Sequence, residues 1–304
     1  MTGGSGVWGW RGAALGLLPP LLCLLASTGS AGPGPQAASA PSSWELVIAQ
    51  AEGLGLPTKF LLDIPPGFFT IDFEDLREYA AEYHPDTHRM VLNRALSFNS
   101  AAGTLKPLAL LTHHEVATLY HELFHAFMNA ARTPAGTKAE RSEVERLLEF
   151  AREQQRCRYY QVEITPVTRR RSATQVRFLS ERESWEALEE TWAVFVGWAV
   201  WTKLEVGKGK KKQVPGGLVS RPWLDRLGQA DAEGILIGYY EPGDPAERSK
   251  ARKHYLAPTH RLSSIEIGRL MKEVLGEPAG EARQAVLKLA SRESTGRLAP
   301  VCRN

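Results

Sequence analysis

The stretch Ala117-Thr118-Leu119-Tyr120-His121-Glu122-Leu123-Phe124-His125-Ala126-Phe127 sets two histidines four residues apart inside an apolar pattern of helical period. Neither Gly nor Pro occurs from His113 to Thr133, so a helix is predicted from His113 to about Ala131, with Leu119, Leu123, Phe127 and Ala130 as its apolar stripe. At 3.6 residues per turn, His121 and His125 fall on one face, about 6 Å apart along the axis. Glu122 lies about 100° round from His121, off the line of the two imidazoles.

Two imidazoles so placed can grip one metal ion, and Glu122 can reach a water on that ion. Zinc is the expected ion. Two neutral histidines and one carboxylate leave a fourth tetrahedral position for water, whose pKa the metal lowers towards ~7. His113 and His114 stand too far back, since seven residues of helix separate His114 from His121 by about 10 Å. They read as cleft-lining or surface residues.

The third donor must come from elsewhere. In Trp185-Glu186-Ala187-Leu188-Glu189-Glu190-Thr191-Trp192-Ala193, three glutamates enter an otherwise apolar helix that starts at Ser180 or Ser184. Glu186 and Glu190 share a face with Ala193 and Gly197, and Glu189 points about 100° away. Small residues beside the carboxylate would let this helix approach the histidine helix closely, as a short metal bond requires.

Taken together, His121-Glu122-Leu123-Phe124-His125 and the later Glu190-Thr191-Trp192-Ala193 resemble the zincin superfamily of metallopeptidases, gluzincin type. In such families a downstream helix often supplies a Glu followed three residues later by Ala, which favours Glu190 over Glu186. The resemblance implies hydrolysis of peptide bonds in a peptide or protein substrate, with His121, His125 and Glu190 on Zn2+ and Glu122 activating water. It also likens Met90 to Asn93 to the edge strand that lines the zincin cleft, and it covers about residues 70 to 205. Ala126, Phe127 and Met128 follow the motif, so the Gly and third His of the metzincin pattern are absent. Donors for a developing oxyanion would be sought among Tyr239, Tyr240, His254 and His260. The alternative is a catalytically inactive zinc-binding module that holds a peptide or protein partner.

The implied fold is α+β and mainly helical, zincin-like, with a small sheet packed on the motif helix and a helical C-terminal part holding the third ligand. Around that core the sequence predicts a helix from Trp44 to Glu52 and another from Asp72, as N-cap, to about Tyr83. A strand is predicted at Met90 to Asn93, and a helix from Ala139 to about Arg156. Strands at Tyr159 to Val167 and Thr174 to Leu179 flank Arg169-Arg170-Arg171, which reads as a solvated hairpin tip or a processing site. Helices follow near Leu262 to Leu275 and Glu281 to Ser291. The Gly- and Pro-punctuated segment from Gly216 to Pro258 carries no clear pattern.

At the N-terminus, Arg11 precedes an apolar run from Ala13 to Ala26 and then small residues, the layout of a signal peptide over 1–31. The uncharged Gly/Pro/Ala/Ser stretch 32–43 reads as a disordered leader, and 44–304 as a single domain. The expected location is therefore secreted or in the lumen of the secretory pathway, where Cys157 and Cys302 form a plausible disulfide pair. The longest later apolar run, Trp192 to Trp201, is too short for the ~20 residues a membrane span needs. A net charge of +3, with Lys208 to Lys212 set among glycines, gives no reason to expect nucleic acid.

Overall fold

The computed structural model describes residues 43–76, 79–101, 103–133, 141–164, 175–208, 217–240 and 257–293. Arg169 to Arg171, His254, Cys302 and the leader fall outside them, as do the expectations that rest on them.

The fold is α+β and mainly helical. Helices α1 (Ser43–Gly53) and α2 (Lys59–Leu62) precede a sheet of β1 (Thr70–Glu74), β2 (Ala81–His84) and β3 (Arg89–Asn93). The strand order is β1-β3-β2, with β3 parallel to β1 and antiparallel to β2. Then come α3 (His113–Arg132), α4 (Arg141–Cys157), β4 (Gln161–Ile164), β5 (Gln175–Phe178) and α5 (Glu181–Gly207). The chain continues through α6 (Arg221–Glu233), β6 (Ile237–Tyr240), β7 (Ala257–Arg261), α7 (Ser264–Arg269) and α8 (Ala279–Glu293). Antiparallel pairs β4–β5 and β6–β7 form two small sheets. Among the described residues, no helix is long and apolar enough to cross a membrane.

The expected helix from Asp72 to Tyr83 is not formed. Asp72 is a good capping residue, but Ile71 and Phe73 alternate with polar neighbours, as do Ala81 and Tyr83, and that period of two builds β1 and β2. Asp72 pairs instead with Arg89 across the parallel ladder at 2.5 Å, and Glu74 also meets Arg89. The likeness drawn for Met90 to Asn93 also needs correcting. That strand is the middle of its sheet, and the edge facing α3 is β2. Met90, Val91 and Leu92 are buried, as a strand covered on both sides requires.

Helix α3 starts as its residues dictate. The Thr112 hydroxyl accepts from the Glu115 N–H at 3.2 Å and the Glu115 carboxylate accepts from the Thr112 N–H at 2.8 Å, a reciprocal cap. Val116, Leu119, Tyr120, Leu123, Phe124 and Phe127 are buried, and Phe60 of α2 meets Tyr120, Phe124 and Phe127 edge-on. Each such burial stabilises the fold by roughly 1.5–3 kcal/mol before chain entropy is counted.

Helix α5 is held at both ends and at its middle. Ser180 and Glu183 cap its start, and His113 Nδ1 meets Glu205 at 2.6 Å near its end. Between them, the Trp192 indole donates to the wholly buried Glu266 at 3.1 Å. Glu266 also accepts from the Tyr159 hydroxyl at 2.9 Å and pairs with Arg158, so one carboxylate ties α5 to α7 and the end of α4. Strand β6 presses its backbone on α5 at Gly238, where a Cβ would stand 2.6 Å from the Thr191 Cα. Only glycine fits there.

Near α8, burial and a carboxyl–carboxyl contact with Glu281 push Glu277 up to about 7, against a 2.7 Å hydrogen bond from the Leu218 N–H. A carboxyl raised by folding favours the native state while it stays protonated, so that contribution is lost as the pH rises through about 7. The urea midpoint of the wild type is expected to fall from pH 6 to 8 more than that of Glu281→Gln, which removes the neighbouring charge. Equal falls would clear the pair of the effect.

Candidate metal centre

Helices α3 and α5 lie against each other along the histidine face of α3. Gly197 makes the approach possible, because a Cβ there would stand 2.9 Å from the Ala117 carbonyl oxygen and 3.4 Å from the His121 Cβ. This is the small-residue contact that the sequence predicted. It places Glu190, about two helical turns earlier on the same face of α5, over the two imidazoles.

The donor atoms form a near-equilateral triangle. His121 Nε2 and His125 Nε2 are 3.2 Å apart, and each is 3.4 Å from Glu190 Oε2. Donors held tetrahedrally at ~2.0–2.2 Å from zinc stand about 3.3–3.6 Å apart, so the triangle is close to one face of such a tetrahedron. Among the described residues, His121, His125 and Glu190 are the one group of three or more His, Cys, Asp or Glu so gathered. Their side chains are 20%, 18% and 33% exposed, so the cluster opens to solvent on one side.

The surroundings fix each donor. The His121 ring donates to the Ala193 carbonyl, and with Nε2 turned to the cluster the donor is Nδ1. That bond leaves Nε2 as the ring nitrogen that faces the cluster. Burial opposes a charged His121, but the Glu190 carboxylate outweighs it and pushes His121 up to about 9. Burial likewise opposes a charged Glu190, and the two imidazoles hold it well below the usual carboxylate range. The cluster thus draws positive charge to one point.

Glu122 is buried beside the cluster, and burial pushes its carboxyl up against the pull of His121 and His125. Its carboxylate accepts from the backbone N–H of Tyr83 on β2. Glu186 is not in the cluster, since it pairs with Arg182 at 2.9 Å on the surface. Glu189 turns to the other side of α5, buried against Arg132, whose guanidinium lies 5.5 Å from the Trp185 ring. His113 is taken by Glu205, His114 is exposed, and Glu115 is used by Ser97 and Thr112.

Of the oxyanion donors considered, the Tyr240 hydroxyl is engaged by Glu183 at 2.6 Å and His260 Nε2 by the Gln161 carbonyl at 2.9 Å. Tyr239 is half exposed. Two supporting groups escaped sequence reasoning, the Ala193 carbonyl and the Tyr83 N–H. Both are backbone atoms, and only the alternation around Tyr83 could have placed a strand beside Glu122. Cys157 is disulfide-bonded, and its partner lies outside the described residues.

Comparison of the chain with protein-family models, curated proteins and solved structures found no match.

Proposed function

We propose that this chain is a zinc-dependent peptidase that hydrolyses a bond in a peptide or protein substrate. The observation that carries this reading is the donor triangle, with edges of 3.2 and 3.4 Å, beside a buried carboxyl that is not part of it. His121, His125 and Glu190 would hold the ion. Bound there, zinc supplies Lewis acidity that polarises a carbonyl and lowers the pKa of water to ~7.

Glu122 takes the proton from the attacking water at its carboxylate oxygen and passes it to the departing amine nitrogen. Burial makes its conjugate acid a weaker donor than an exposed glutamic acid, which suits a group that must both accept and return a proton near neutrality. The Tyr83 N–H steadies the ionised form that stands before the first transfer and after the second. The Ala193 carbonyl keeps the His121 ring in one tautomer and orientation. The working compartment is the secretory lumen or the exterior, a reading supported by the leader sequence and by the disulfide at Cys157.

Metal analysis of protein purified without chelator tests the reading. One zinc per chain and turnover of a peptide library are expected for the wild type and for Glu186→Ala. Glu190→Ala should lose both. Stoichiometric zinc without turnover in the wild type would make the chain a binding module, and equal zinc in Glu190→Ala would remove the third ligand from the scheme.

A further inference from the structure

Glu122 and Asn129 are seven residues apart on α3, so they lie on one stripe of the helix, about 20° apart in rotation and about 10 Å apart along the axis. Tyr83 of β2 is attached to both. Its backbone N–H donates to the Glu122 carboxylate, and its hydroxyl donates to Asn129 Oδ1 at 3.0 Å. The same Oδ1 lies 2.7 Å from His88 Nδ1, in the turn that joins β2 to β3. A carbonyl oxygen shared by two donors makes Nδ1–H the tautomer at His88.

The strand is therefore clamped where a slip would matter most. His88 is the one non-glycine residue with positive φ (50°) among the described residues, a backbone state that L side chains adopt at a cost. Its ring packs on Phe68 at 4.5 Å, and Asn129 holds it from the other side. β2 is an edge strand, so nothing beyond it in the sheet fixes its height over α3. The two bonds to Asn129 supply that restraint.

We propose that Asn129 is a positioning residue, which sets the Tyr83 backbone N–H on Glu122 by anchoring Tyr83 and His88 to the motif helix. The inference rests on Glu122 being the proton carrier, but its anchoring half stands apart from any turnover. A small misplacement of such a supporting group can cost up to about a hundredfold in rate. Asn129→Leu, which keeps volume and removes the acceptor, should lower kcat by about ten- to a hundredfold, with KM and zinc per chain within about twofold. Asn129→Asp keeps the acceptor and should restore most of kcat, and Tyr83→Phe, which loses one bond of the two, should fall between.

Amide hydrogen exchange on zinc-loaded protein reads the anchor directly. Asn129→Leu should speed exchange at Tyr83 and its β2 neighbours and leave α5 unchanged, while Asn129→Asp exchanges like wild type. Unchanged Tyr83 exchange in both Asn129→Leu and Tyr83→Phe, or an Asp variant as slow in turnover as the Leu variant, would overturn the proposal. If the wild type shows no turnover at all, the peptidase reading fails, and the exchange measurement still decides whether Asn129 sets Tyr83.

Discussion

Glu122→Gln should keep its zinc and lose catalysis. The amide is isosteric and can still accept from the Tyr83 N–H, so the structure at this point is preserved, but it cannot take a proton from water. General base catalysis contributes about 10²–10⁴-fold, and kcat/KM is expected to fall by that factor, about 3–5 kcal/mol in barrier height. Thermal stability should rise slightly, because a carboxylate whose burial opposes its ionisation has been replaced by a neutral group. Peptide hydrolysis at the wild-type rate by zinc-loaded Glu122→Gln would show that the proton goes elsewhere.

Gly197→Ala is expected to damage the metal centre from a distance. Two effects oppose each other. Alanine is worth about 0.8–1.0 kcal/mol over glycine inside a helix, whereas forcing a methyl into a closed contact costs about 1–3 kcal/mol. The second wins here, because the atom met at 2.9 Å is the Ala117 carbonyl oxygen, a backbone group with no rotamer to retreat to. Helix α5 must then back away from α3 and draw Glu190 off the imidazoles. Metal sites tolerate about 0.2 Å in ligand distance, and disturbing the supports of ligands costs on the order of 10- to 100-fold in affinity. Chelator competition measures this directly, with Gly207→Ala on the same helix as the control, since nothing stands within 4 Å of a Cβ there. Equal zinc affinity in the two variants would mean that the helices have slack.

How much of this was legible in the residues follows from what kind of group each part uses. Helix α3 and its face were readable, because side-chain spacing alone determines which residues share a side. Glu190 was narrowed to a face by Ala193 and Gly197, and the structure separates it from Glu186 by the 3.4 Å approach of its carboxylate to both imidazoles. Strands β1 and β2 were not readable. Asp72 and the run Arg77-Glu78-Tyr79-Ala80-Ala81-Glu82 have helical composition, and the choice is made by a partner fifteen or more residues away, Arg89, together with pairing to β3. Strand β6 was hidden for a related reason. Its decisive residue, Gly238, looks like a loop residue until Thr191 is set against it.

His121, His125 and Glu190 stand together because two helices meet over a glycine and a backbone carbonyl orients one ring. That has a consequence for metal supply. A rigid set of two imidazole nitrogens and one carboxylate oxygen ranks the first-row divalent ions in the usual order, with copper above zinc, and cobalt and manganese below. On the metal-binding reading proposed above, the ion that occupies such a frame would be decided by what the surrounding compartment offers during maturation, and the identity of the metal would be a property of the cell as much as of the chain.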